Sequence, residues 1–278
     1  TQKDRQACVK LNDDTIMLSK KKDGPKQTTQ QGCWSAVLSD MLNHFGVDLS
    51  QQEVRGYRPD IHPDKVNTES AKNLVDRLNS DKRNEIYDMV DLIQRTVPNV
   101  AYHHMALDAF GQESKSVFKQ KVEDSLLNQN SPVALLYKNH YVSIVGIRDN
   151  TIIVQDPNPK TKEKYQEISI DDVFNESAMN GQYQIMIDWL EDLTFEKDGT
   201  CKNVTEQWKK MGIECKNGEF KASEGESYLS HVKGYAYTDT DRFDKGIEES
   251  IYMPKMSFEK EMEISKEASL DEIEEYTM

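Results

Sequence analysis

The chain has 278 residues, 36% of them hydrophobic and 30% charged, with a formal net charge of −14. That length buries one good core and leaves room for a second, smaller unit. The acidic balance argues against nucleic acid or an anionic membrane as the main partner, and no apolar run approaches the length of a membrane span.

Residues 1–24 read as a polar lead-in, with the solvated run Lys20-Lys21-Lys22 and a short strand at Thr15-Ile16-Met17-Leu18. The first residues, from Thr1 to Gln6, hold neither Met nor an apolar signal core, as expected of a processed or trimmed chain, which leaves room for an export signal to have been removed. The stretch from Gln27 to Ala36 reads as a loop that delivers Cys33 onto the first turn of a helix. Behind it, Trp34, Val37, Leu38, Met41, Leu42 and Phe45 recur in steps of three and four, the mark of one buried helix face, and Gly46 supplies a stop. Ser50-Gln51-Gln52-Glu53 has the pattern of a capping box and opens a short second helix. Apolar stripes predict three more helices, over Thr68–Leu78, Glu85–Thr96 and Ser114–Asn128.

After Pro132 the pattern changes. Val133–Tyr137 is a short continuous apolar run, and His140–Ile147 alternates. Thr151–Asp156 returns the chain, which predicts a three-stranded antiparallel meander. Ser169–Phe174 looks like a capped helix turn, and Gln184–Leu190 one more strand. Helices followed by antiparallel strands predict an α+β domain of two packed layers over residues 25–195. Residues 196–278 carry 20 Asp and Glu against 12 Lys and Arg, an acidic C-terminal region able to hold a protein partner. Within it, residues 239–244 fit a calcium loop poorly, because Phe243 and Asp244 stand where a ligand and a Gly belong.

Cysteine usage is sparse. Cys8, Cys33, Cys201 and Cys215 include no Cys-x-x-Cys pair and no zinc-finger spacing to histidine, so no metal is expected; Cys201 and Cys215 could staple one loop. Cys33 alone would pass for a core cysteine. At a helix start, however, the dipole and free N–H groups stabilise a thiolate. His140 lies at a turn-to-strand junction and Asp156 at the end of the returning strand, so the hairpin brings both to the same end. A carboxylate there can hold the imidazole in one tautomer and stabilise imidazolium. Gln27 precedes the cysteine in a loop that runs back to it, and its amide can donate to an oxyanion together with the Cys33 N–H. His44 is three turns along the cysteine helix and out of reach of Cys33; His62, His103, His104 and His231 remain rivals for the base.

Gln27 six positions before Cys33, the run Cys33-Trp34-Ser35-Ala36, and the sixteen-residue step from His140 to Asp156 together resemble a papain-like cysteine peptidase. Residues 33–46, then His140–Gly146 and Val154–Pro157, look most like the compact bacterial branch that includes double-glycine-leader peptidases and type-III effector proteases. The resemblance implies a papain-like fold over about residues 25–190, a Cys33–His140–Asp156 triad, Gln27 as oxyanion donor and no cofactor. It also implies that Gly32 lets a peptide or protein substrate approach, that Trp34 shields the site, and that the chain is secreted or delivered as an effector. Transglutaminase, deamidase or acyltransferase chemistry on the same scaffold, or a spent site in a binding protein, are the alternatives.

Overall fold

The apolar residues spaced behind Cys33 form a helix against which the rest of the domain is assembled. The computed structural model describes residues 9–10, 14–18, 23–57, 72, 84, 86–97, 100–192, 213–217, 219–222, 229–232, 234–239 and 246–252. Helix α1 spans Cys33–His44 and buries Trp34, Val37, Leu38, Met41 and Leu42. Just beyond its C-cap, Gly46 at φ +85° occupies the left-handed region that stops a helix at little cost. Helix α2, Gln51–Gly56, opens on the expected capping box: Ser50 Oγ accepts from the Glu53 N–H at 3.2 Å, and Glu53 Oε2 accepts from the Ser50 N–H at 2.7 Å. Helices α3 (Ile86–Thr96) and α4 (Ser114–Leu127) fall where the stripes predict them. Helix α5, Ile170–Met179, is capped by Ser169 Oγ, which accepts from the Asp172 N–H. Of the helix expected over 68–78, residue 72 alone is described, and it is helical.

The strands are β1 (Val9–Lys10), β2 (Ile16–Met17), β3 (Val100–Asp108), β4 (Val133–Tyr137), β5 (His140–Arg148), β6 (Thr151–Gln155), β7 (Gln166–Ser169), β8 (Gln184–Asp192), β9 (Ile213–Lys216), β10 (Glu219–Ala222), β11 (Leu229–Val232), β12 (Gly234–Asp239) and β13 (Ile247–Tyr252). Among the described residues, eleven form one antiparallel sheet in the order β1-β2-β5-β4-β8-β3-β13-β12-β11, with β6 on β5 and β7 on β6; β9 and β10 form a separate hairpin. The predicted meander is present as β4, β5 and β6. Strand β3 was not expected. Its two histidines and two alanines, Val-Ala-Tyr-His-His-Met-Ala-Leu-Asp, break the apolar alternation, yet it pairs with β8 along its full length. The acidic segment contributes to the same sheet, with β13 pairing β3 from Ile247↔Leu107 to Tyr252↔Tyr102.

Two layers were expected, and three are found. Val117, Phe118, Val122 and Leu126 of α4, with Val173 and Phe174 of α5, pack one face of the sheet. Helices α1 and α3 pack the other through Trp34, Met41, Leu42, Val90 and Ile93. The reason is visible in β5, buried from Tyr141 to Ile147 without alternation, as a strand covered on both faces must be. The architecture is α+β, with helices on an antiparallel sheet.

Candidate active site

Cys33 is the first residue of α1, and the loop before it is fastened from two sides. From α2, Gln51 Nε2 donates to the Lys26 carbonyl at 2.7 Å and Gln51 Oε1 accepts from the Thr28 N–H at 3.1 Å. Four residues on, and so on the same helix face, the buried Arg55 guanidinium reaches Ser35 Oγ at 3.3 Å and Thr28 Oγ1 at 3.4 Å. From the β6–β7 side, the Gln27 N–H donates to the Pro157 carbonyl at 2.8 Å, and Lys26 Nζ donates to the Asp156 and Thr161 carbonyls at 2.8 and 3.1 Å. Sequence reasoning missed Lys26, Gln51 and Arg55 as positioning residues. The i,i+4 spacing of Gln51 and Arg55 behind the capping box was the available signal.

The histidine is delivered by a tight turn. Lys138 and Asn139 have φ of 52° and 56°, the double left-handed turn that joins β4 to β5 and makes His140 the first residue of the strand. Asp156 follows β6 directly. His140 Nε2 lies 2.7 Å from Asp156 Oδ1, and the two side chains are 28% and 12% exposed. With Nε2 committed to the carboxylate, Nδ1 is the ring nitrogen left for the hydrogen bond that His140 makes with Cys33. Asp156 is itself oriented: Oδ1 accepts from the Asn158 N–H at 2.8 Å and Oδ2 from Thr161 Oγ1 at 3.0 Å. Beneath the site, Ser143 Oγ on β5 donates to Asp40 Oδ2 on α1 at 3.0 Å, tying the histidine strand to the cysteine helix.

The electrostatics follow from these contacts. Burial pushes the Cys33 thiol up. Its hydrogen bond with His140, the backbone hydrogen bonds from Tyr141 and Trp34, and the His140 charge outweigh burial and hold the thiol below its ordinary value. Burial disfavours the His140 imidazolium, but the Asp156 and Cys33 side chains overcome this and raise it from 6.5 to about 9. Asp156 also feels burial, yet the His140 bond, the Asn158 N–H, the imidazolium charge and Thr161 hold its carboxyl below the usual range. Both shifts run towards a thiolate–imidazolium pair braced by a carboxylate.

Cys33, His140 and Asp156 are therefore brought together, and Cys33 is a half-buried free thiol. Gln27 is nearby in sequence but differently engaged: its Nε2 donates to the Thr29 and Gln30 carbonyls, each at 3.0 Å, while its buried Oε1 has no hydrogen-bond partner among the described residues. Gly32 is buried, and a Cβ on it would sit 2.5 Å from Thr29 Oγ1, so the loop's own packing requires glycine here. Trp34 is 5% exposed within the core between α1 and the sheet.

The rival histidines are occupied elsewhere. His44 Nε2 is 2.7 Å from the Asn130 carbonyl oxygen. His103 is buried on Glu191 at 2.6 Å with Trp189 stacked on it, and His104 faces Asp188. His62, the His231 side chain and the Cys201–Cys215 pairing lie outside the described residues. No group of metal-ligating side chains occurs among the described residues, and no helix there is long and apolar enough to cross a membrane.

Solved structures similar to this chain include a double-glycine-motif protease from an AMS/PCAT transporter in complex with its leader peptide. It is 10% identical, with 62% of this chain and 96% of that one covered and a TM-score of 0.34. A C39-like peptidase from Bacillus anthracis is 12% identical, with 63% and 98% covered and a TM-score of 0.33. UfSP from C. elegans is 9% identical, with 60% and 32% covered and a TM-score of 0.39. Comparison with curated proteins finds no match. The Peptidase_C39 like family matches residues 16–187, a span that takes in strand β2, the cysteine helix, the His140 hairpin and the start of β8. By that match over more than half its length, the chain belongs to the Peptidase_C39 like family.

Proposed function

We propose that this chain hydrolyses peptide bonds with Cys33 as nucleophile, His140 as general base and acid, and Asp156 as the residue that orients His140. The observation that carries the reading is the unbroken line of contacts from the Cys33 thiol through His140 to Asp156, with both shifts favouring the ion pair. The thiolate attacks the substrate carbonyl and forms a C–S bond, and the carbonyl π electrons move onto oxygen. Collapse of this intermediate expels the amine, which takes the proton from His140 Nδ1. Neutral His140 then removes a proton from water, whose oxygen attacks the thioester carbonyl; the C–S bond breaks, releasing the acid and restoring the Cys33 thiolate beside the His140 imidazolium.

Gln27 is the proposed side-chain donor to the oxyanion. It acts by exchanging one of its two loop carbonyls for the developing negative charge, a stronger acceptor. Gly32 keeps the loop in its close packing on Thr29, and Trp34 closes the site from the core side.

The test is incubation of the chain with a random peptide mixture, read by mass spectrometry, beside Cys33→Ala. Cleavage by the wild type and none by Cys33→Ala is expected. Equal cleavage by both overturns the mechanism. Ammonia release without chain cleavage would assign deamidation instead.

A further inference from the structure

One cross-strand row leads away from the catalytic site. Tyr141, whose backbone hydrogen-bonds to Cys33, pairs with Leu136; Leu136 pairs with Met186, Met186 with Ala106, and Ala106 with Glu248. Directly paired residues share a face of a sheet, so this row runs in a line across β5, β4, β8, β3 and β13. From Leu136 onwards it floors an open cleft of about 640 Å³ that also includes Asn139, the neighbour of His140. The floor is apolar as far as Ala106 and ends in a carboxylate.

The far end of the cleft is built for a cation. Glu248 stands there half-exposed, and Asp108, which also lines the cleft, is exposed. No ion pair to Glu248 or Asp108 occurs among the described residues. Beside them, Phe110 and Tyr183 are 70% and 60% exposed, with ring centroids 6.0 Å apart, and the Phe110 N–H donates to Asp108 Oδ1. Carboxylates beside exposed aromatic faces suit the charged head and apolar stem of Lys or Arg. Gly246 fixes the approach of this corner: a Cβ there would lie 2.7 Å from Asp108 Cβ. The net charge of −14 favours the same partner. Asp108, Phe110 and Tyr183 lie within the 16–187 family match, and Glu248 is supplied from beyond it by the C-terminal segment.

We propose that this cleft binds the substrate chain on one side of the scissile bond and reads a Lys or Arg about six residues from it. The distance comes from four inter-strand spacings of about 4.8 Å, roughly 19 Å, spanned at about 3.3 Å per extended residue. The inference rests on the peptidase reading above.

Two arms of one experiment separate them. In the first, the wild-type chain, Glu248→Gln and Glu248→Lys digest random peptides about fourteen residues long, a length that covers the span. The cut positions are then aligned by mass spectrometry. Expected is enrichment of Lys and Arg five to seven residues from the cut, falling about fivefold in Glu248→Gln, inverting towards Asp and Glu in Glu248→Lys, and weakening with salt. In the second, the Cys33→Ala chain binds two fluorescent pools of the same length, one with Lys and Arg as the only charged residues and one with Asp and Glu. Tighter binding of the basic pool, lost in Cys33→Ala/Glu248→Gln, is expected. Cleavage without basic preference, or with a preference that Glu248→Gln leaves unchanged, overturns the cleft assignment alone. Basic-pool binding that depends on Glu248, without any cleavage, keeps the cleft and overturns the peptidase reading. Neither cleavage nor selective binding overturns both.

Discussion

Replacing Asp156 by Asn removes the charge facing His140 but keeps an oxygen able to accept from its Nε2–H. Thr161 and the Asn158 N–H, which hold the carboxylate in place, can hold the amide too. His140 is raised from 6.5 to about 9. At about 1.4 kcal/mol per unit, that is roughly 3 kcal/mol in favour of the imidazolium, net of the burial that opposes it. Asp156 contributes more to the rise than Cys33 does. Asp156→Asn should therefore lower the His140 value by at least about one unit, and Cys33→Ala should lower it by less. The assay is an NMR titration of the imidazole C–H resonances in the wild type and both variants, with His140 assigned by substitution. A His140 value near 6.5 in the wild type, or one that does not move in Asp156→Asn, would refute the electrostatic account of the pair.

The same contacts set a stability window. The raised His140 value stabilises the fold fully below 6.5 and loses that contribution as pH rises through about 9. The lowered Asp156 value contributes fully above 3.8 and is lost as pH falls through its folded value. In urea unfolding, the wild-type margin over Asp156→Asn should thus be widest between those limits, about 2 kcal/mol, and should vanish in strong alkali; a margin independent of pH would contradict it. Gly32→Ala should slow Cys33 alkylation by displacing the loop, and Thr29→Ala should restore part of the rate in the double variant because it removes the Oγ1 that the new Cβ meets at 2.5 Å. Gln27→Ala should lower kcat about a hundredfold with KM little changed, measured on a peptide found in the library digest; an unchanged kcat would remove Gln27 from the oxyanion site.

The parts of this site that local physics dictates were legible in the sequence. The stripe behind Cys33, the Ser50–Glu53 box and the Lys138-Asn139 turn each determine their own element, and the β5–β6 hairpin carries His140 and Asp156 to one end as its register requires. What the sequence concealed depends on partners far along the chain. Strand β3 has little alternation because helices cover both its faces, and His103 there is buried on Glu191 of β8. The role of Arg55 arises only once the loop folds over it and brings Ser35 and Thr28 to its guanidinium. The role of Gln27 was read from its place before the cysteine, and its bonds to the Thr29 and Gln30 carbonyls emerge only once the loop has closed. The acidic charge of residues 196–278 masked β13, whose Ile247 and Ile251 are fully buried against the sheet.

The central claim is that Cys33 is an activated thiolate held by His140. Its most direct test is the rate of iodoacetamide alkylation of the native chain across pH, read site by site by peptide mass spectrometry. The account predicts that Cys33 labels far faster than Cys8, Cys201 and Cys215, keeps that rate below the ordinary thiol value of 9.0, and slows in His140→Ala. A Cys33 that labels no faster than the other three, or whose rate rises only near 9.0, would contradict it.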